Sequence, residues 1–354
     1  MTEKLKLLEP ITIGDLRLAN RIFMAPLTRC RASAGRVPNS MMAEYYRQRA
    51  SAGLILSEAT AVTPIGVGYP NTPGIWSPEQ TQGWKQITAA VHGAGGKIFM
   101  QLWHVGRISD PSYLDSALPV APSAIAAKGH VSLLRPERPF VTPRALETNE
   151  IPGIIEAYRQ GAANALAAGF DGVELHGANG YLLDQFLQDS TNHRSDEYGG
   201  SLKNRARLML AVTDAVISVW GAGRVAMHLA PRCDAHDMGD SNPAATFGYV
   251  ARELGRRKIA FICARESVGA NHLGLELKKQ FGGIYVANES HTRDSAEQIL
   301  EKGEADAVAF GKLFISNPDL PKRFARNASL NPPDQQTFYA DGPHGFTDYS
   351  SLPD

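Results

Sequence analysis

The sequence predicts an α/β protein, a (β/α)8 TIM barrel, from three observations. Eight short apolar runs recur along its 354 residues, segments of helical character alternate with them, and no Gly/Ser-rich linker divides the series. The chain reads as one domain over residues 1–354, with a long insertion after the third strand at about 104–148. An open doubly wound sheet is the alternative. A Rossmann unit fits worse, because no GxGxxG joins a strand to a helix near the start.

The first strand is expected over residues 21–28, ending at a proline and a threonine, with a helix at 41–51 closed by Gly53. Strand two is LILSE, residues 54–58. A Pro/Gly-rich loop leads to a helix at Ser77, where Ser-Pro-Glu-Gln supplies an N-cap, a proline at the first helical position and a capping-box partner. Strand three is residues 97–103. The proline-rich stretch that follows has no clear period and reads as an excursion over the site. A helix at 149–168 precedes strand four, which lies within DGVELHGANGY, Asp171 to Tyr181. One long helix is expected over 202–220 and strand five over 225–229. Next come a helix at 244–257, strand six at 259–264, a short helix at 274–280, strand seven at 284–287, a helix at 292–302 capped by Thr292, strand eight at 306–310, and a closing helix near Pro318.

Composition narrows the function. Lys+Arg and Asp+Glu both number 36, so the formal net charge is zero and nothing favours nucleic acid or an anionic membrane through bulk charge. No run approaches the ~20 apolar residues that span a bilayer, and the N-terminal residues lack a signal-peptide core, so a cytoplasmic protein is expected. Cysteines 30, 233 and 263 form no CxxC pair and read as small buried side chains in a reducing compartment.

In a barrel the reacting groups come from the C-terminal ends of the strands. Those ends offer Thr28, Glu58 with Ala59, Gln101 with Trp103, His176 with Asn179 and Tyr181, His228, Glu266, Asn288, and Gly311 with Lys312. The fourth end is the richest. Two glycines let the chain turn, and six residues offer an imidazole donor, an amide donor and a phenol. Two donors and an acid suit a substrate whose oxygen gains negative charge while a nearby carbon takes a proton. No HxH and no carboxylate cluster appears, so metal-assisted hydrolysis is poorly supported and no metal is expected. Lys312 could form a Schiff base, but after strand eight it suits a phosphate better. Gln101 and Thr28 both donate and accept, as the edge of a heteroaromatic ring would demand. An anion would rest on the amides of Asn288, Glu289, Ser290 and His291, and on Gly311 and Lys312.

These residues resemble the old yellow enzyme family of flavin-dependent ene-reductases. The likeness runs through RIFMAPLTR (21–29), SEAT (57–60), QLWHVGR (101–107) and GFTDY (345–349). It is strongest over HGANGYLLDQFLQDSTNHRSDEYGGSLKNRARL, residues 176–208. The resemblance implies FMN above the barrel, reduced by NADPH or NADH, and a small-molecule activated alkene as substrate. It places Pro26, Thr28, Ala59 and Gln101 at the flavin and implies that His176 and Asn179 bind the substrate's carbonyl or nitro oxygen. Hydride would pass from flavin N5 to the β-carbon while Tyr181 protonates the α-carbon; nitrate esters or nitro compounds are further substrates in the family. Trp103, Tyr69 and Tyr339 match positions that shape the substrate pocket.

Three positions depart from the family's pattern. His228 stands where an arginine commonly faces the flavin, the phosphate loop reads NESHT with an acidic Glu289, and Lys312 replaces a frequent arginine. Arginine is permanently charged and bidentate; histidine need not be charged, and lysine keeps the charge but loses the bidentate fork. A barrel without flavin, acting as a binding protein, is therefore the alternative function. The sequence leaves the oligomeric state open.

Overall fold

The computed structural model describes residues 5–232, 235–267, 269 and 271–353; Cys233 lies outside them. Eight parallel strands close on one another: β1 (Ile22–Met24), β2 (Leu54–Leu56), β3 (Ile98–Trp103), β4 (Gly172–Gly177), β5 (Val225–Leu229), β6 (Phe261–Arg265), β7 (Ile284–Asn288) and β8 (Ala307–Phe310). Their order around the barrel is sequential. β8 returns to β1 through Val308 opposite Ile22, and β2 meets β3 through Ile55 opposite Ile98. The strands are buried on both faces, as a parallel sheet covered by helices requires.

Outside the sheet lie α1 (Ser40–Gln48), α2 (Pro78–Gly93), α3 (Ile151–Ala167), α4 (Arg207–Trp220), α5 (Pro243–Arg256), α6 (Gly274–Phe281), α7 (Arg293–Glu301) and α8 (Leu320–Arg326). The expected caps form. Ser77 accepts from the Gln80 amide and Gln80 answers in a capping box, and Thr292 caps α7 in the same way. The helix expected over 202–220 is divided into Leu202–Arg205 and α4, with Ala206 between them. The arginines on either side are drawn to separate carbonyls, Arg205 to Leu187 at the end of a short helix and Arg207 to Glu197.

An antiparallel hairpin before β1, Ile11–Ile13 with Leu16–Leu18, packs its apolar residues against Phe23, Phe99 and Phe261 inside the barrel. Gly14 makes its turn at φ +57, where an added Cβ would stand 2.2 Å from the Gly223 carbonyl oxygen. The hairpin therefore plugs one end of the barrel and leaves the C-terminal strand ends to carry polar groups. The 104–148 segment holds a short 3-10 turn, Pro111–Tyr113, and the paired strands Val120–Ala121 and Arg144–Ala145. Its Val105, Ile108, Ala127, Val131 and Phe140 cluster with Ala59, Tyr69 and Trp103, so it walls one side of the mouth.

Candidate active site

Alternation along β4 decides what reaches the barrel axis. His228 of β5 lies opposite His176, and Glu174 lies opposite Gln101 of β3. The chain then turns through Asn179 and Gly180, both at positive φ, which asparagine tolerates better than other non-glycine residues. Tyr181 leads into the short helix Leu182–Leu187, and Asp184 of that helix reaches back to accept the Gly180 amide at 2.9 Å.

The aromatic rings form one assembly. His176 stacks between Trp103, with centroids 6.3 Å apart, and His228, 5.7 Å away. The Tyr181 ring stands edge-on to His176 at 4.9 Å and to Trp103 at 5.0 Å. Its hydroxyl is 2.9 Å from that of Tyr69. Beneath them Gln101 donates to Glu174 at 2.7 Å, with His228 Nδ1 3.5 Å from the same carboxylate oxygen. Tyr339 is half exposed, yet close enough for its phenol to act on both Tyr69 and Tyr181.

Burial fixes the protonation states. It holds His176 well below the usual imidazole range, with His228 and Arg265 adding to the effect, so the ring is neutral at pH 7. Burial also raises Tyr181 well above the usual phenol range, reinforced by Tyr69, so Tyr181 keeps its proton. Among the described residues, four buried polar atoms here have no partner: Trp103 Nε1, His176 Nδ1, Glu174 Oε1 and His228 Nε2. Unpaired groups clustered at a mouth are accounted for by a polar ligand.

The remaining strand ends are partly what the sequence implies. Pro26 and Thr28 lie partly exposed after β1, and Ala59 is buried against the Trp103 cluster. Asn288 ties β7 to β8 through the Ala309 carbonyl. Glu289 and Ser290 follow at φ 116 and 63, a backbone that suits glycine, with His291 partly buried beyond. The Glu289 carboxylate is gripped by Arg265 at 2.9 and 3.1 Å, so its charge is compensated. Lys312, exposed, opens the helix Lys312–Ser316 directly after Gly311. Glu266 serves elsewhere, clipping Arg232 at 2.5 Å and the Leu273 amide at 2.7 Å.

Three residues escape the sequence reading. Glu174 is masked by its apolar neighbours, although its two-residue spacing from His176 places it on the same face. Arg265 extends β6 one residue past the expected end and donates to Asn179 Oδ1 at 3.0 Å, which orients the amide. His236 sits in the loop after β5, where no periodicity operates. The structure also gathers Glu174, His228 and Cys263, whose potential ligand atoms all lie within 4.8 Å of one another. The Cys263 thiol is pushed up by burial and then by Glu174.

The mouth thus presents alternating donors and acceptors beside a flat aromatic wall, a loop of left-handed amides and a lysine at a helix start. This donor set fits a planar heteroaromatic ring carrying a phosphate. A model of the NADH:flavin oxidoreductase / NADH oxidase family matches residues 6–331. The chain belongs to that family.

The similarity extends over whole proteins. The chain is 44% identical over 359 residues to 12-oxophytodienoate reductase 1 of Oryza sativa subsp. japonica, covering 98% of this chain and 93% of that one. It is 41% identical to 12-oxophytodienoate reductase 2 of Arabidopsis thaliana, covering 99% and 96%. Among solved structures, the old yellow enzyme homologue from Zymomonas mobilis superposes with a TM-score of 0.96 at 46% identity, covering 98% and 100%. Morphinone reductase in complex with tetrahydroNAD gives 0.95 at 46%, covering 99% and 98%. The old yellow enzyme resemblance is thereby borne out: this is an NAD(P)H-dependent flavin oxidoreductase with FMN as its cofactor. Among the described residues, no helix of this flavin oxidoreductase is long and apolar enough to cross a membrane.

Asp184, which anchors the turn of this flavin oxidoreductase, supplies a pH test. Its carboxyl is fully buried, accepts from Gly180 and Gln188, and is pushed up to about 7 by burial. A carboxyl with a raised folded-state pKa contributes stability below its unfolded pKa and loses it as pH rises through about 7. Asp184→Asn keeps the shape without the charge. Its thermal midpoint relative to the parent should rise between pH 5 and pH 8; a constant difference would refute a titrating Asp184.

Proposed function

We propose that this flavin oxidoreductase is an ene-reductase acting on α,β-unsaturated carbonyl or nitro compounds, with nitrate esters or nitroaromatics as further acceptors. The observation that carries the reading is a neutral imidazole, an oriented amide and a protonated phenol gathered at one mouth. The ring edge of FMN would be held by Pro26, Thr28, Ala59, Gln101 and His228. Its phosphate would rest on the amides of Asn288, Glu289, Ser290 and His291, with Gly311 and Lys312. When bound there, FMN would supply hydride transfer between NADPH or NADH and the substrate.

This chain's own residues then act on the substrate. His176 and Asn179 donate to its carbonyl or nitro oxygen and draw electron density from the β-carbon. Arg265, on the oxygen of the Asn179 amide, strengthens the opposite N–H donors. Tyr181 delivers a proton to the α-carbon, and its raised pKa keeps that proton available across the neutral range. Trp103, Tyr69 and Tyr339 shape the pocket. The names of the relatives support reduction of a conjugated system: 12-oxophytodienoate and morphinone are substrates in those proteins' own names.

Anaerobic stopped flow tests the reading. NADPH or NADH should bleach the flavin, and cyclohexenone should restore its colour while yielding cyclohexanone; a reduced enzyme inert to cyclohexenone would overturn it. His228 carries a separate expectation. His228→Arg places a fixed charge where an imidazole now stands, and a charged hydrogen bond contributes roughly 1.5–3 kcal/mol. FMN should bind the apoprotein about tenfold tighter or show a higher potential. Unchanged affinity and potential would place residue 228 out of reach of the ring.

A further inference from the structure

The turn that carries Tyr181 is roofed by the loop after β5. A Cβ on Gly180 would stand 3.0 Å from both the Ala235 carbonyl oxygen and His236 Cβ, so the loop closes directly on the turn. Arg107, from the insertion, fixes the loop from the other side. It donates to the carbonyls of Ile125 at 3.0 Å, His236 at 3.0 Å and Asp237 at 3.2 Å. His236 is thereby held over the phenol, its ring 5.2 Å from that of Tyr181, while the residue stays partly exposed.

The hydrogen bonds around His236 have a direction. Its Nδ1 lies 2.6 Å from the backbone oxygen of Asn179, which can only accept, so in the neutral ring Nδ1 carries the proton and Nε2 is an acceptor. Nε2 is 3.4 Å from the Tyr69 hydroxyl, which is 2.9 Å from that of Tyr181. Tyr69 therefore donates to His236, and Tyr181 donates to Tyr69. The 3.4 Å step is long, as catalytic hydrogen bonds often are before a site fills.

We infer that Tyr69 and His236 form a proton relay that restores the Tyr181 hydroxyl from solvent after each turnover. The inference rests on Tyr181 being the acid. Once Tyr181 has given its proton to carbon it is a phenolate packed against Trp103, His176 and Tyr69, with the Tyr69 hydroxyl as its hydrogen-bond partner. A proton from solvent binds Nε2 of the partly exposed His236, forming imidazolium. Tyr69 then passes its hydroxyl proton to the Tyr181 oxygen while the imidazolium hands one proton to Tyr69, and His236 returns to neutral. One proton enters and one phenol is re-formed.

The groups facing His236 are Tyr69, Tyr181, the Asn179 carbonyl, Phe140, Arg107, Arg265, His176, and Asp237 with its partner Lys128. Burial pushes the imidazole down, opposed by the hydrogen bond to the Asn179 carbonyl and aided by Arg107 and Arg265, so it is neutral in the resting enzyme.

His236→Asn tests the relay, because the asparagine amide can still donate to the Asn179 carbonyl from about where Nδ1 stands but cannot titrate. In the holoenzyme with cyclohexenone, steady-state turnover should fall at least tenfold relative to the first-turnover rate. The decline of kcat as pH rises above the imidazole range should disappear in the variant. An equal fall in both rates would show a merely structural role, and an unchanged ratio would exclude the relay; either overturns it. Tyr181→Phe separates the two readings. Wild-type reoxidation in that variant removes the acid itself, whereas slow reoxidation with an unaffected His236→Asn removes the relay alone. The unmutated protein gives a check independent of activity and of variant folding. With 15N-labelled histidine, His236 should show the Nδ1–H tautomer at neutral pH; the Nε2–H tautomer would overturn the proposal.

Discussion

Tyr181→Phe should leave flavin reduction by NADPH or NADH within about twofold of the parent and slow reoxidation by cyclohexenone by roughly 10²–10⁴, the usual contribution of a positioned acid. The substitution is conservative in packing. The ring meets His176 and Trp103 through its edge, and a phenylalanine preserves both contacts. What disappears is one hydroxyl, whose partner Tyr69 retains His236 within reach. A selective loss in the oxidative half would therefore report proton delivery and not a collapsed pocket. Equal reoxidation rates would remove Tyr181 from the acid's role. Slowing of both halves alike would point to altered binding of nicotinamide and alkene together.

The fold was legible where periodicity and capping agree. α2 begins at its Ser-Pro-Glu-Gln signal, and the eight strands fall within a few residues of their apolar runs. The N-terminal hairpin was missed although ITIGDLRL alternates on both sides of a Gly-Asp turn, because three-residue strands fall below the length at which alternation is persuasive. The split at Ala206 was illegible for another reason: it depends on carbonyls of the preceding segment, Leu187 and Glu197, beyond the reach of helical spacing. At the site, His176, Asn179 and Tyr181 were readable because one turn carries them all. Arg265 and His236 were not, since each acts on that turn from another strand or loop, and sequence spacing does not encode which strand ends become neighbours. The acidic residue in NESHT reads as hostile to a phosphate until the Arg265 pair is seen to compensate it.

Arg49→Ala should unfold in urea with a loss of roughly 3–5 kcal/mol, the range for breaking a buried charged network. Arg49 is wholly buried and satisfied by carbonyls. It donates to Phe314 at 2.8 Å, Ile315 at 2.7 Å and Tyr45 at 2.8 Å, with its guanidinium 3.7 Å from the centre of the Tyr45 ring. Phe314 and Ile315 lie in Lys312–Ser316, among the last four residues of a helix, where carbonyls lack intrahelical partners and a cation is favourable. Burial lowers this guanidinium to about 10, still charged at neutral pH. Removing it orphans the carbonyls and opens a void, and Arg49→Met separates these effects by keeping most of the stem. If the hydrogen bonds dominate, Met should lose nearly as much as Ala; a methionine within about 1 kcal/mol of the parent would assign the effect to packing. The same helix starts at Lys312, proposed to hold the FMN phosphate. Both variants should therefore release FMN faster at urea concentrations well below unfolding, and an unchanged release rate would separate the anchor of the helix from the cofactor it is proposed to serve.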